Sequence, residues 1–234
     1  MPQVTDQDFI AADWPAPASV IAFTTTRDSG TDALPESADR EQLRVPQLQQ
    51  VHGTTVVQAE EVALDNTPVL ADAIVSRTPG LACRIQTADC LPILLCTEAG
   101  DEVAAVHAGW RGLAAGVIEA AVSAMQTRPE HLLAWIGPAI SQAAYEVGVD
   151  VRDAFLAATP PDSQQAISRC FAPHQDRYMA DLPAIARVRM QALGLHAVFG
   201  GEYCTWSDAK RFHSFRRSGA AAGRMASMIW INRH

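Results

Sequence analysis

Several features are scarce or missing in this 234-residue chain, and each absence removes a class of function. Basic residues number 18 against 26 acidic ones, and the net charge of -8 argues against nucleic acid or an anionic membrane as a partner. No apolar run approaches about 18 residues, so we expect no transmembrane helix. No basic segment followed by an apolar run stands near the N-terminus, so we expect no signal peptide and a cytoplasmic location.

Cysteine and histidine are few and widely spaced. The five cysteines are Cys83, Cys90, Cys96, Cys170 and Cys204, an odd number without the close pairing of a disulfide framework. The chain lacks Cys-x-x-Cys pairs, a His-Glu-x-x-His helix motif and the His-x-Glu with Pro-Cys-x-x-Cys signature of zinc deaminases. A metal site in this protein must therefore join residues that are distant in sequence.

The apolar content of 48% is ample for a buried core, and we see no internal repeat or linker. The pattern predicts one compact mixed α/β domain over residues 1–234. Short apolar runs predict strands, and a four-residue apolar period predicts a helix from Leu113 to Met125. Asp181 is a good N-cap for a second helix, which would end at Leu193 before Gly194. The predicted strands are Ser19–Thr25, Thr54–Ala59, Leu81–Gln86, Pro92–Cys96, Glu102–Val106, His131–Ile136, Leu195–Phe199 and Ala226–Ile231, and residues 28–40 are predicted to form a polar loop.

Three dense motifs carry the chemistry of the chain. They are Gln50-Val51-His52-Gly53, Thr87-Ala88-Asp89-Cys90-Leu91-Pro92 and His107-Ala108-Gly109-Trp110-Arg111-Gly112. Two imidazoles and one thiolate form a ligand set typical of catalytic zinc, in which a fourth position stays open. The same residues could instead pair Cys90 as a nucleophile with His107 as its base. Each residue taken alone is more often a turn or core residue, and a purely binding function is a further alternative.

Charged and aromatic neighbours suggest further roles. Asp89 is costly in an apolar run unless it has a function, so it could orient a ligating imidazole or act as a general base. Trp110 could stack on a flat ring and Arg111 could bind phosphate or carboxylate. The alternative is that Trp110 belongs to the core and Arg111 pairs with a nearby acid.

The motifs resemble those of the polyphenol oxidase, or multicopper polyphenol oxidoreductase (laccase-domain), family, whose bacterial members are also described as purine nucleoside phosphorylases. The resemblance runs from residue 25 to near the C-terminus. Besides the three central motifs it includes Thr25-Thr26-Arg27, Ala71-Asp72-Ala73, Gly137-Pro138-Ala139-Ile140, Tyr145-Glu146-Val147-Gly148, Cys204-Thr205 and Gly223-Arg224-Met225.

The resemblance implies a single-domain α-β-β-α sandwich with mixed sheets and one zinc ion bound by His52, Cys90 and His107. The implied activity is phosphorolysis of adenosine, inosine and methylthioadenosine, together with deamination of adenosine. Around residues 102–149 the chain resembles a branch linked to correcting misloaded peptidoglycan precursors. An alternative is therefore a cysteine hydrolase or amidase that uses Cys90 and His107.

For a phosphorylase, Arg27, Arg111 or Arg216 would hold phosphate, and Trp110 or Phe215 would stack on the purine. The partners would be a nucleoside and phosphate, and the protein would be a monomer or homodimer. Copper-dependent phenol oxidation ranks below zinc chemistry, because seven unpaired histidines cannot build a multicopper centre. Two segments depart from the family pattern. The segment at residues 28–44 is shorter than in the family and does not match its motifs, and Phe212-His213-Ser214-Phe215-Arg216-Arg217 stands where the family favours Phe-Phe-Ser-Tyr-Arg-Arg.

Overall fold

The computed structural model describes residues 9–36, 38–63 and 67–233 as one mixed α/β unit. Its strands in chain order are β1 Phe9–Ala11, β2 Val20–Thr25, β3 Leu48–Gln49, β4 Val56–Gln58, β5 Val69–Leu70, β6 Ala73–Ser76, β7 Cys83–Thr87, β8 Leu91–Thr97, β9 Val103–Ala108, β10 Leu132–Ile136, β11 Glu146–Val147, β12 Phe171–His174, β13 Arg177–Ala180, β14 Ala197–Gly200 and β15 Met225–Ile231. The helices are α1 Trp110–Ala115, α2 Val117–Ala124, α3 Val149–Ala157, α4 Pro161–Arg169, α5 Leu182–Ala192 and α6 Phe215–Ser218, with 3-10 turns at Ala59–Glu61, Pro129–His131, Gln142–Ala144 and Gly219–Ala221.

Two sheets form the centre of the molecule. The larger has the order β14-β10-β8-β9-β6-β4 and is mixed, since β10–β14 and β4–β6 are parallel and its other pairs are antiparallel. The smaller, β1-β2-β15-β7, is wholly antiparallel. Two minor sheets, β11-β13-β12 and β3-β5, lie outside this pair. The predicted class, a single mixed α/β domain with mixed sheets, is confirmed.

The larger sheet is buried on both faces, which explains its uninterrupted apolar runs. Along β8, Leu91, Ile93 and Leu95 pack with the helices, while Leu94 and Cys96 pack against the smaller sheet. This alternation follows from the two-residue period of a strand. Side chains from residues 34–45 cover the outer face of the smaller sheet. The described residues of this segment form no helix.

Most of the predicted elements are confirmed, with shifts of at most two residues at their ends. The exception is the helix predicted from Leu113 to Met125, which was wrong as a single element. Gly116 adopts a φ of 101° and separates α1 from α2. Glycine reaches this left-handed conformation without the steric penalty that a Cβ brings. The Asp181 N-cap is confirmed, since its Oδ1 accepts a hydrogen bond from the backbone N–H of Ala184 at 3.0 Å.

Several elements were not predicted from the sequence. They are the short strands β1, β3, β5, β6 and β11, the β12–β13 hairpin, and the helices α3, α4 and α6. Across the part of the chain that the structure describes, no helix combines the length and apolar character needed to span a membrane.

The close approach of β10 to the end of β14 gives a stability prediction. Gly200 has a φ of 74°, and a Cβ there would overlap the carbonyl oxygen of Ile136. Gly194 has a similar φ of 88° but open space around its Cβ position. We expect Gly194→Ala to cost about 1–2 kcal/mol for its backbone conformation, and Gly200→Ala to cost at least about 2 kcal/mol more because of the overlap. Urea unfolding of both variants measures the difference, and equal losses would contradict the predicted overlap.

Candidate metal centre

The strand register brings two of the three predicted ligands to one end of the larger sheet. Leu91 pairs with Ala108 and Pro92 with His107 across β8 and β9. Cys90, one residue before β8, therefore lies next to His107 near the end of β9. His107 is buried and its neighbours in β9 are fully buried, so its ring has little freedom to move.

The third residue, His52, reaches the site from a turn outside the sheets. It is one of the few non-glycine residues with positive φ, at 61°. Its Nε2 lies 3.7 Å from the Sγ of Cys90, and its ring meets that of His107 edge-on with centroids 4.7 Å apart. One ligand atom from each of His52, Cys90 and His107 lies within 4.8 Å of the others. The structure thus brings the predicted trio together.

The donor set and its spacing fit a tetrahedral metal ion. With zinc–nitrogen and zinc–sulfur bonds of about 2.0 and 2.3 Å, two ligand atoms of a tetrahedral site stand roughly 3.6 Å apart. The 3.7 Å between His52 and Cys90 matches this value. Three protein ligands leave one position for substrate or water, as in catalytic sites. Among the described residues, these three form the one group of histidine, cysteine and acidic side chains with metal-binding spacing.

Asp72 holds the two histidines, a role that the sequence did not reveal. Its Oδ1 lies 2.7 Å from Nδ1 of His107 and accepts from the backbone N–H of His52 at 2.9 Å. Its Oδ2 accepts from the N–H groups of Gly53 at 2.7 Å and Val51 at 3.3 Å. With Nδ1 of His107 donating to this carboxylate, Nε2 is left for a metal. The suggestion that Asp89 orients a ligating imidazole was wrong, because Asp72 occupies that position.

The charges of the site depend on one another. Burial raises the pKa of the Cys90 thiol, but hydrogen bonds with His107 and His52 outweigh it and lower the pKa to about 6. Burial lowers the pKa of His107, but hydrogen bonds with Asp72 and Cys90 raise it to about 9. Burial also raises the pKa of Asp72, and its bonds to His107 and to backbone N–H groups hold it below the usual value. At neutral pH the metal-free site therefore contains a thiolate, and binding a metal at His107 releases a proton.

Two glycines permit the close packing of the motifs. A Cβ at Gly109 would lie 2.6 Å from Cδ2 of His52 and 3.2 Å from Sγ of Cys90. A Cβ at Gly112 would lie 2.7 Å from the carbonyl oxygen of Gly53. The separations of 2.6 and 2.7 Å are too short for a Cβ, so the glycines of the third motif make room for the first.

The trio forms part of the wall of a cavity of about 580 Å³. Five of the residues predicted to serve in catalysis or substrate binding also line it: Asp89, Trp110, Arg111, Phe215 and Arg216. The cavity is also lined by residues without a predicted role: Leu48, Gln50, Gln86, Tyr145, Leu182 and Arg224. Gln50, Tyr145 and Arg224 stand in motifs of the resemblance. A volume of this size suits a small organic molecule.

Arg27 is the predicted substrate-binding residue that is not brought to the cavity. Its Nη1 donates to the carbonyl oxygen of Ala209 at 2.8 Å, and its Nε lies 3.8 Å from the carboxylate of Asp28. Its backbone N–H donates to the carbonyl oxygen of Arg211. These contacts give Arg27 a bracing role between the end of β2 and residues 209–211.

Comparison with known proteins shows the family of the chain. The chain belongs to the Multi-copper polyphenol oxidoreductase laccase family, whose profile matches residues 31–232. It is similar to Purine nucleoside phosphorylase PA4543 of Pseudomonas aeruginosa, at 44% identity over 95% of this chain and 98% of the relative. It is also 41% identical to Purine nucleoside phosphorylase YfiH of Escherichia coli K12, over the same shares of the two chains.

A solved structure gives the same result for the fold. The crystal structure of protein NMB0706 of Neisseria meningitidis superposes with a TM-score of 0.84 at 41% identity, over 97% of this chain and all of that one. The family resemblance predicted from the motifs is therefore confirmed.

The role of Asp72 can be tested by metal affinity. In Asp72→Asn an NH₂ group must replace one carboxylate oxygen, and each oxygen accepts two donors, so either orientation loses hydrogen bonds. We expect zinc affinity to fall by about 10–100-fold, as for other residues that orient metal ligands. Competition with a chromogenic chelator measures it.

Glu102→Gln is the matched control. Glu102 is also buried and accepts backbone N–H groups, from Gln126 and Thr127, but it does not line the cavity. Its substitution should leave zinc affinity unchanged. An equal loss in both variants would show that general destabilisation, rather than ligand orientation, explains the effect.

Proposed function

We propose that this protein is a zinc-dependent purine nucleoside phosphorylase acting on adenosine, inosine and methylthioadenosine. The observation that carries the proposal is that His52, Cys90 and His107, which are spaced to hold a metal ion, line the same cavity as three arginines and an exposed aromatic ring. The names of the relatives support the reaction class. In this reaction the glycosidic C–N bond breaks and a C–O bond to phosphate forms, so the base leaves with the bonding electrons and gains a proton.

The arginines supply the phosphate-binding chemistry. Arg111, Arg216 and Arg224 line the cavity, and within the described ranges none of them forms an ion pair. The guanidinium of Arg111 lies over the Trp110 ring at 4.6 Å, and that of Arg216 lies over the Tyr145 ring at 5.1 Å. Stacking on a ring fixes a guanidinium without using its N–H groups, which can then form hydrogen bonds with an anion. Arg216 uses its Nη2 to donate to the carbonyl oxygen of Glu146 at 3.1 Å, so its other N–H groups would serve that purpose.

Phe215 is the better candidate for contact with the purine. Its side chain lines the cavity, and the residue is 53% exposed. Trp110, the other residue predicted for stacking, already has the Arg111 guanidinium over its ring. We therefore place the base against Phe215 and the phosphate among the arginines. The three metal ligands would lie between Asp72 and the substrate.

The ligand set also suits deamination of adenosine. Bound at His52, Cys90 and His107, zinc would supply a Lewis acid and lower the pKa of a water molecule. We extend the proposal to this activity, and to zinc rather than copper, since two imidazoles and a thiolate without further histidine ligands suit zinc. The protein's own residues hold the substrate and fix the protonation of the ligands.

Turnover assays with Cys90→Ala test the main proposal. We expect wild-type protein with about one zinc per chain to release purine base from adenosine and inosine only when phosphate is present, yielding ribose 1-phosphate. Cys90→Ala should lose both metal and turnover, because two imidazoles bind zinc weakly. Elemental analysis and liquid chromatography measure these outcomes.

Cys96→Ala, which removes a buried thiol outside the cavity, is the control and should keep both metal and turnover. Full turnover by metal-free Cys90→Ala would refute the zinc mechanism.

A second candidate, a cysteine hydrolase or amidase, is favoured by one observation. The low pKa of Cys90 and its contacts with two imidazoles are typical of an activated thiol nucleophile. Such an enzyme would act on an amide or ester, and a peptidoglycan precursor is one possible substrate. It would require no metal at His52 and His107.

Alkylation of Cys90 distinguishes the two candidates. After removal of metal, we expect iodoacetamide to modify Cys90 with a half-maximal rate near pH 6, because its pKa is lowered to about 6. With metal bound, the same thiol should be protected at every pH. Cys204, whose pKa is lowered to about 7 by hydrogen bonds that outweigh burial, is an internal control that chelation should not affect. Mass spectrometry of the peptides measures both. If the protein is purified without metal and alkylation of Cys90 inactivates it, this result would support the hydrolase instead.

A further inference from the structure

The Asp89 carboxylate connects parts of the chain that are far apart in sequence. The residue is only 8% exposed, although it adjoins Cys90. Its Oδ1 accepts from Thr205 Oγ1 at 2.5 Å, and its Oδ2 accepts from Ser214 Oγ at 3.0 Å and from the backbone N–H of Arg216 at 2.6 Å. These three donors fill most of the roughly four lone-pair positions of a carboxylate. Little acceptor capacity remains for a substrate.

The backbone of Asp89 is also constrained. Its φ is 85°, in the region that non-glycine residues rarely adopt. Its carbonyl oxygen accepts from the N–H of Ile140 at 3.0 Å, which joins a further segment to the same residue. Such conformations persist where the surroundings determine them, and here hydrogen bonds from three distant segments do so.

The element held most directly by Asp89 is α6. Ser214, whose hydroxyl donates to Asp89, is the N-cap of this helix and accepts from the N–H of Arg217 at 3.2 Å. The helix has four residues, too few to be stable alone. Its first two, Phe215 and Arg216, line the cavity. The position of both side chains relative to the metal group therefore depends on the Asp89 carboxylate.

We infer that Asp89 is a positioning residue, whose carboxylate holds Phe215 and Arg216 in place in the cavity that His52, Cys90 and His107 also line. Its contribution to turnover rests on the proposed function, because that function assigns base and phosphate to these two residues. The placement of α6 does not rest on it. This role replaces the general-base role suggested by the sequence.

Comparison of Asp89→Ala with Asp89→Asn tests the inference. An asparagine can keep its oxygen toward Ser214 and Arg216 and turn its NH₂ group toward Thr205 Oγ1, which is able to accept. Alanine loses all three contacts. We expect hydrogen exchange of the α6 amides to rise at least about tenfold in Asp89→Ala, as expected for lost bonds to a charged acceptor. In Asp89→Asn it should rise much less.

Kinetics give the second measurement. We expect Asp89→Ala to raise KM for both nucleoside and phosphate by about tenfold or more, since a hydrogen bond to a charged group is lost for each fixed residue. Asp89→Asn should recover most of this loss with the pH profile of kcat unchanged. If asparagine abolishes kcat as completely as alanine while α6 amides stay protected, Asp89 transfers a proton and the inference is wrong.

Further variants guard against global effects. Thr205→Val removes one donor to Asp89 and should raise α6 exchange by a smaller step, whether or not Asp89→Ala folds. Ser214→Ala also removes the N-cap of α6 and should raise this exchange more than Thr205→Val does. Glu102→Gln is the control, because Glu102 is a buried carboxylate outside the cavity. It should change neither hydrogen exchange in α6 nor KM. Exchange needs no turnover, so an absence of phosphorolysis in wild type would refute the proposed function alone. Unchanged α6 exchange in Asp89→Ala would refute the positioning role alone.

Discussion

The candidate metal centre depends first on the hydrogen bonds of the Asp72 carboxylate. It stands one residue before β6, whose register with β9 places Asp72 beside His107. Its four acceptor contacts fix the ring of one histidine and the backbone that carries the other. The turn at residues 51–53 lies outside the sheets and would otherwise be free to carry His52 away from Cys90. A buried carboxylate is costly to desolvate, and these four donors offset that cost.

The rigid part of the fold gives this interaction its precision. Three groups of the site belong to neighbouring strands of one sheet: His107 lies in β9, and Cys90 and Asp72 immediately precede β8 and β6. Both faces of that sheet are packed. Close-packed interiors resist displacement, so these groups keep their separations without a ligand. His52 and α6, by contrast, are attached from outside through polar contacts to Asp72 and Asp89. The site thus combines a fixed wall with two tethered segments.

The sequence predicted the candidate metal ligands better than the residues that hold them in position. His52, Cys90 and His107 stood out by residue type and by the glycine or acidic residue near each of them, and strand ends were readable from apolar runs. Asp72 escaped notice because its importance depends on the register between β6 and β9, and β6 was not predicted. The argument applied to Asp89, that a charge in an apolar run needs a function, applied equally to Asp72 in Ala71-Asp72-Ala73. Gly116 was read as part of a helix because periodicity does not report φ. Arg27 was assigned to substrate by its motif, but the fold directs it to Ala209.

The division between Asp72 and Asp89 also explains how an acidic chain can offer a site for anions. With a net charge of -8, the overall field of the protein repels phosphate, so attraction must come from local arrangement. The two buried carboxylates near the cavity are surrounded by donors: Asp72 by His107 and three backbone N–H groups, and Asp89 by Thr205, Ser214 and the backbone N–H of Arg216. Arg111, Arg216 and Arg224 in the cavity wall have no acidic partners within the described residues, and Arg111 and Arg216 are stacked on the rings of Trp110 and Tyr145. Arginines without acidic partners, beside carboxylates whose acceptor positions are mostly filled, therefore favour an anion in this cavity although the chain as a whole is acidic.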